Sequence, residues 1–108
     1  MQPFMLSQSR NNMKKDSLYK NQQKVSETNG DVLTYFYKSG NKKAEGKYIN
    51  EKFEGKWLFY RENGQLQQEG HFKDNQKDGE WIRFNTKGEI EYHAEFKEGK
   101  EVKKASLK

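Results

Sequence analysis

The sequence predicts an all-β protein: an elongated, single-layer antiparallel β-meander of successive hairpins with a repeat period of 24. Three observations carry that reading. First, residues 35–58 (YFYKSGNKKAEGKYINEKFEGKWL) are followed by a close copy at 59–82 (FYRENGQLQQEGHFKDNQKDGEWI) and a decayed one at 83–106 (RFNTKGEIEYHAEFKEGKEVKKAS). A fixed period in this range marks an array of supersecondary units, none of which buries its apolar face alone. Second, strand-like segments alternate with glycine-containing turns, and nothing between them has the helical spacing of an amphipathic segment. Third, hydrophobic residues are only 31% of the chain while aromatic residues reach 14%. Rings bury large areas each, so they suit a thin structure with one ring-lined face.

The elements follow in chain order. Residues 1–16 show no periodicity and read as a flexible arm; residues 17–102 form the repeat domain, and residues 103–108 a basic tail. Thr28-Asn29-Gly30-Asp31 offers the first hairpin turn. In the second unit, Trp57-Leu58-Phe59-Tyr60 and the stretch from Leu66 to Lys73 are strands, joined across Arg61-Glu62-Asn63-Gly64. An Asn-Gly pair tolerates the positive φ of a tight turn and is a strong hairpin signal. The next connection, residues 74–79, reads as longer, polar and closed by Gly79. If Tyr60 pairs with Gln65, then Phe59 faces Leu66, Trp57 faces Gln68, Gly70 faces Arg83 and Gly46 faces Phe59. One face then collects Tyr48, Trp57, Phe59, Leu66, Phe72 and Trp81, with Gly46 and Gly70 leaving room for rings to lie across the backbone. The other face carries Leu58, Tyr60, Ile82 and Phe84 beside Gln67, Glu69 and His71. In the third unit Ala94 replaces the mid-strand glycine and Ala105 the Trp, as expected of a terminal unit.

Net charge is +5, with the excess at the two ends. Alternating signs elsewhere describe a solvated surface, and the basic ends serve solubility first and attraction to anionic surfaces second. Without cysteine, disulfides, thiolate metal sites and cysteine nucleophiles are excluded. No apolar run approaches the ~20 residues of a membrane-spanning helix. The opening residues MQPFMLSQSRNNMKK lack a basic segment ahead of their short apolar cluster, and a cytoplasmic location is the expectation.

The pattern F-Y-x-x-N-G-x-L-x-x-E-G-x-F-x-x-x-x-x-x-G-x-W, read from Phe59 to Trp81, resembles the bacterial MORN-repeat variant. Chains of this kind are often grouped with YwqK-like antitoxin components of toxin–antitoxin systems. The resemblance covers roughly residues 30–100. It implies a twisted sheet of hairpins used as an interaction surface, with a lipid-binding association in membrane-associated members. This chain departs at Lys42, where Leu66 and Ile90 stand in the later units, and in the lost glycine and Trp of the third.

No catalytic constellation emerges. His71 and His93 differ in repeat phase and lack the further ligands that zinc requires. The segment from Asp74 to Glu80 superficially follows a calcium loop, but Lys77 intrudes and Asn85 stands where the bidentate Glu belongs. Glu45 and Glu69 recur at one phase and read as structural. No metal and no cofactor is expected, and the chain reads as a non-enzyme. Its expected function is protein interaction, antitoxin- or immunity-like, through Leu58, Tyr60, His71, Ile82 and Phe84. A toxin is the narrowest partner the resemblance implies. The alternative is peripheral binding to anionic lipid through Lys14, Lys15, Lys103, Lys104 and Lys108. Nucleic acid ranks third, because rings in a repeat array first hold neighbouring units together.

Overall fold

A computed structural model of the chain describes residues 18–104. Eight strands follow one another: β1 (Ser26–Asn29), β2 (Val32–Phe36), β3 (Lys42–Ile49), β4 (Lys52–Tyr60), β5 (Leu66–Lys73), β6 (Gln76–Phe84), β7 (Ile90–Lys97) and β8 (Lys100–Lys104). They form one antiparallel sheet in sequence order. Among the described residues every extensive contact joins consecutive strands, so these strands form one layer. This is the meander of hairpins that the repeat predicts.

The connections alternate between two kinds, one along each edge of the sheet. On one edge, three-residue loops at 38–40, 62–64 and 86–88 are closed by the pairs Tyr37–Asn41, Arg61–Gln65 and Asn85–Glu89. In the middle one the Gly64 N–H donates to the Arg61 carbonyl (2.9 Å) and the Arg61 N–H to the Gln65 carbonyl (2.8 Å). Gly64 takes φ +94°, the left-handed conformation that closes such a loop. On the other edge the turns have two residues. Asn50-Glu51, Asp74-Asn75 and Glu98-Gly99 all have positive φ at both positions, the geometry that matches strand twist. The expected long connection at 74–79 is therefore not there: Asp74 and Asn75 make the whole turn, and β6 begins at Gln76. Gly79, expected to close a loop, lies inside β6 at φ +115°.

The register also differs from expectation, by two positions along the rung through the two Trp residues and by one at Tyr60, which pairs with Leu66 instead of Gln65. Trp57 pairs with Gly70, Phe59 with Gln68, Gly70 with Trp81 and Gly46 with Trp57. Bulges account for the shift. The ladder slips between Phe59 and Tyr60, between Gly46 and Lys47 opposite Gly55 and Lys56, and between Gly70 and Phe72 opposite Gly79. A slip of two preserves which face each side chain occupies, so Trp57, Phe59 and Trp81 keep the expected common face, while the one-residue slip that pairs Tyr60 with Leu66 breaks the expected division at that end of the strands.

The core follows one rung crossing the sheet, in which Leu33, Gly46, Trp57, Gly70, Trp81 and Ala94 are paired in succession, with buried Ala44 beside it. Large and small alternate along it. Trp57 is 1% exposed and Trp81 2% exposed, which a one-layer sheet achieves only because each indole lies across a neighbour's bare backbone. A methyl group on Gly46 or Gly70 would collide with the ring above it. Each indole N–H donates to the carbonyl after that glycine, Trp57 to Lys47 and Trp81 to His71, both at 2.9 Å.

Candidate interaction surface

The two faces have different chemistry because side chains alternate along each strand. The ring face packs Tyr48 on Phe53 (5.5 Å between centroids), Phe53 on Trp57 (4.8 Å) and Phe72 edge-on to Trp81 (5.0 Å). Phe59 bridges the two indoles at 6.3 Å and 5.9 Å. Phe53, in β4, is absent from the ring face expected from the sequence. Toward the C-terminal end cations lie over the rings: Lys77 over Trp81 and Phe96, and Arg83 and Lys104 over Tyr92.

The opposite face is crossed by a second rung: Thr34, Glu45, Leu58, Glu69, Ile82 and His93. Carboxylates and aliphatic groups alternate along it, all half-buried except the buried Thr34. Glu45 accepts hydrogen bonds from the Lys42 ammonium (2.9 Å) and the Thr34 hydroxyl (2.9 Å). The Lys42 bond, above all, holds the Glu45 carboxyl below its ordinary pKa, against partial burial that pushes it up. The pairing with Glu45 raises Lys42 in turn.

Of the five side chains expected to bind protein, Leu58 and Ile82 come together, one on each side of Glu69. His71 pairs with Lys56 further along β5. Tyr60 and Phe84 each lie just past a register slip, opposite Leu66 and Ile90 at the three-residue-loop edge. They do not extend the Leu58–Ile82 rung. Among the expected lipid-binding residues, Lys103 and Lys104 end β8, so the anticipated boundary after residue 102 falls inside a strand. Lys14, Lys15 and Lys108 lie outside the described residues.

The three-residue-loop edge carries a device that the pattern does not announce. The Tyr37 hydroxyl donates to the Tyr60 carbonyl (2.7 Å), and Arg61 Nη2 to the Phe84 carbonyl (2.9 Å). Beside them Asn41 Nδ2 donates to the Glu62 carbonyl and Gln65 Nε2 to that of Thr86. Each loop thus holds the next hairpin through the same two positions with changed residues. A variant stands upstream: Tyr19, at the Tyr37 position, donates to the Phe36 carbonyl, and Asn21, two residues before the Asn41 position, donates to that of Lys38, from a turn in which Gln22 takes φ +74° where later loops have glycine. That turn escapes the sequence pattern for two reasons. It lacks the glycine, and Gln22 stands nearer to Gly40 than Gly40 does to Gly64, which breaks the period. Among the described residues no three His, Asp or Glu side chains converge in the way a metal site requires.

An open, one-layer sheet, stitched along its edges and bearing two chemically distinct faces, defines a repeat-built β-ribbon. Residues 53–74 and 77–98 match the MORN repeat variant. The two matches lie one repeat period apart, and each covers one hairpin, β4–β5 and then β6–β7. Two stretches of the chain are thus similar to the MORN repeat variant; the match names the repeat, not a toxin–antitoxin system. No curated protein sequence matches the chain. Among solved structures, it is similar to a chain in the crystal structure of accessory secretory protein 1,2 and 3 in Streptococcus pneumoniae, at 21% identity and a TM-score of 0.33. That likeness covers 85% of this chain and 22% of the other, and at this score it carries no argument.

Proposed function

We propose that this chain is a non-enzymatic protein-interaction module whose partner docks on the face bearing Leu58 and Ile82. The observation that carries the reading is their position side by side across Glu69, half-exposed, on the face that ring packing does not use. Aliphatic contact with carboxylates between suits a partner that buries the one and hydrogen-bonds the other. His71, Tyr60 and Phe84 extend the contact toward the sheet edges. In its narrowest form the reading is antitoxin- or immunity-like, with a toxin as the partner. The test is affinity capture from the native host with the natural chain and with Leu58→Asp/Ile82→Asp. A partner held by the first and lost by the folded variant supports the reading; equal recovery by both overturns it.

The second reading is peripheral binding to anionic lipid, favoured by the exposure of Lys100, Lys103 and Lys104 on the terminal strand β8. Each basic residue near such a surface contributes roughly 1 kcal/mol. Co-sedimentation with phosphatidylserine vesicles at low salt, lost when Lys14, Lys15, Lys103, Lys104 and Lys108 are neutralised, is the expected outcome for that reading.

A further inference from the structure

We propose that the C-terminal half of the ring face is a docking surface for an acidic polypeptide segment, held by Lys77, Arg83 and Lys104 over Trp81, Tyr92 and Phe96. The proposal comes from comparing the chain with itself. Phe53 and Phe59 flank Trp57; one repeat later, flanking Trp81, the same phases hold Lys77 and Arg83. The neighbours Phe72 and Phe96 keep their phase, so the scaffold is unchanged and only these two slots have switched from ring to cation. Trp57 is closed over by Phe53 at 4.8 Å, whereas Trp81 is covered by the Lys77 ammonium, 4.6 Å from the indole centroid and 4.7 Å from that of Phe96. Phe53 demonstrates that this fold accepts a ring in the slot. A cation there is not what the fold demands.

The surroundings favour a carboxylate-bearing partner. Among the described residues neither Lys77 nor Lys104 has a carboxylate in ion-pair contact, while Arg83 holds Glu91 at 3.0 Å. The acids of this region lie largely on the reverse side, where Glu80 and Glu95 are directly paired and Glu80 meets His93. Lys77, Arg83 and Lys104 thus gather with the rings on one face, while Glu80 and Glu95 lie on the other beside Lys103. An ammonium lying on a ring retains N–H donors on its outward side, and those can meet an incoming carboxylate. Glu101, opposite Phe96 and accepting from the Tyr92 hydroxyl at 3.0 Å, interrupts the positive surface. A polyphosphate backbone would meet that carboxylate unfavourably, whereas an extended peptide can place glutamates at Lys77 and Lys104 and apolar side chains on Tyr92 and Phe96.

The experiment measures binding of a fluorescent synthetic peptide alternating Glu and Leu to the full chain, beside a Lys–Leu peptide, single-stranded DNA and phosphatidylserine vesicles. The key variant, Lys77→Phe/Arg83→Phe, copies the two residues that flank Trp57 and is expected to keep the fold, read by circular dichroism and melting. The natural chain should bind the acidic peptide, more weakly as salt rises, and ignore the basic one. The double variant should lose about tenfold or more in affinity. If it does not fold, Lys77→Gln/Arg83→Gln takes its place. The proposal is overturned by equal affinity in the folded variant, by no binding of the acidic peptide at low salt, or by tighter binding of DNA or vesicles through the same cations. Loss of binding in Leu58→Asp/Ile82→Asp alone would move the site to the other face, so this proposal and the Leu58–Ile82 reading fail separately.

Discussion

Trp81 lies across Gly70 and donates its indole N–H to the carbonyl of His71, the residue that follows that glycine. The same arrangement joins Trp57 to Gly46 and Lys47. Bare backbone, flat ring and anchored N–H form one unit, and two such units supply most of the core of a sheet with no second layer. The third unit dissolves the arrangement from both sides at once. Ala94 adds the methyl group that an indole could not clear, and Ala105 stands at the Trp phase.

Gly70→Ala should therefore destabilise the chain through collision with Trp81, not through backbone strain, since Gly70 is absent from the positive-φ positions. Overpacking of this kind costs about 1–3 kcal/mol. Urea unfolding of Gly70→Ala, Trp81→Ala and the pair checks the mechanism. The methyl group should cost far less once the indole is gone, giving a large coupling in the double-mutant cycle. Additive effects would contradict the stacking account.

At Asn75 two separate contributions can be told apart. Its φ is +70°, and its side-chain oxygen accepts the Phe53 N–H at 2.7 Å. Gly99 occupies the same turn position one repeat later and keeps the backbone link, its N–H donating to the Lys77 carbonyl. Asn75→Gly loses only the side-chain bond, about 1 kcal/mol. Asn75→Ala keeps a Cβ in the left-handed region without the polar side chain that lets Asn tolerate it, at a further ~1 kcal/mol. Melting temperatures should fall in the order natural chain, Gly variant, Ala variant.

Face assignment is legible in the sequence because a period of 24 is even and a register error of two leaves parity intact. Register itself is not. The bulges that set it are marked only by Gly55 and Gly79, whose positive φ looks in sequence like that of any turn glycine. The two turn types are exchanged for a related reason. Asn63-Gly64 reads as the tighter turn, yet Asp74-Asn75 takes positive φ at both positions without glycine. Leu58 and Ile82 can be placed together by alternation alone. Tyr60 and Phe84 cannot be placed, because each stands just beyond a slip. The Phe53-to-Lys77 and Phe59-to-Arg83 changes are visible in the aligned repeats but acquire meaning only once both slots are seen beside an indole.

Tyr37→Phe should loosen the coupling between hairpins more than it unfolds any one of them. The hydroxyl reaches the Tyr60 carbonyl in the following hairpin at 2.7 Å, and its loss costs about 1 kcal/mol. In a one-dimensional array that energy belongs to the interface between neighbours. Hydrogen exchange should speed up in β1–β3, on the N-terminal side of the lost link, and stay close to natural values in β6 and β7. Uniform acceleration across the sheet would mean that the array unfolds as one unit.

Glu45 gives the stability a small acid limb. Its carboxylate, held by Lys42 and Thr34, has a folded-state pKa below the ordinary glutamate value. Between the folded and unfolded pKa values the unfolded chain binds more protons, so stability rises with pH in that window. The contribution is complete above the ordinary glutamate range and is lost as pH falls through the depressed folded value. Lys42 is about half exposed, at 51% of its side chain, so screening keeps the ion pair to well under ~1 kcal/mol. Glu45→Gln should flatten the acid limb of a melting-temperature profile and lower the neutral-pH value slightly. Thr34→Val, which removes the uncharged donor at 2.9 Å, should keep the limb but shrink it. A Gln variant with an unchanged acid limb would place the pH dependence elsewhere in the sheet.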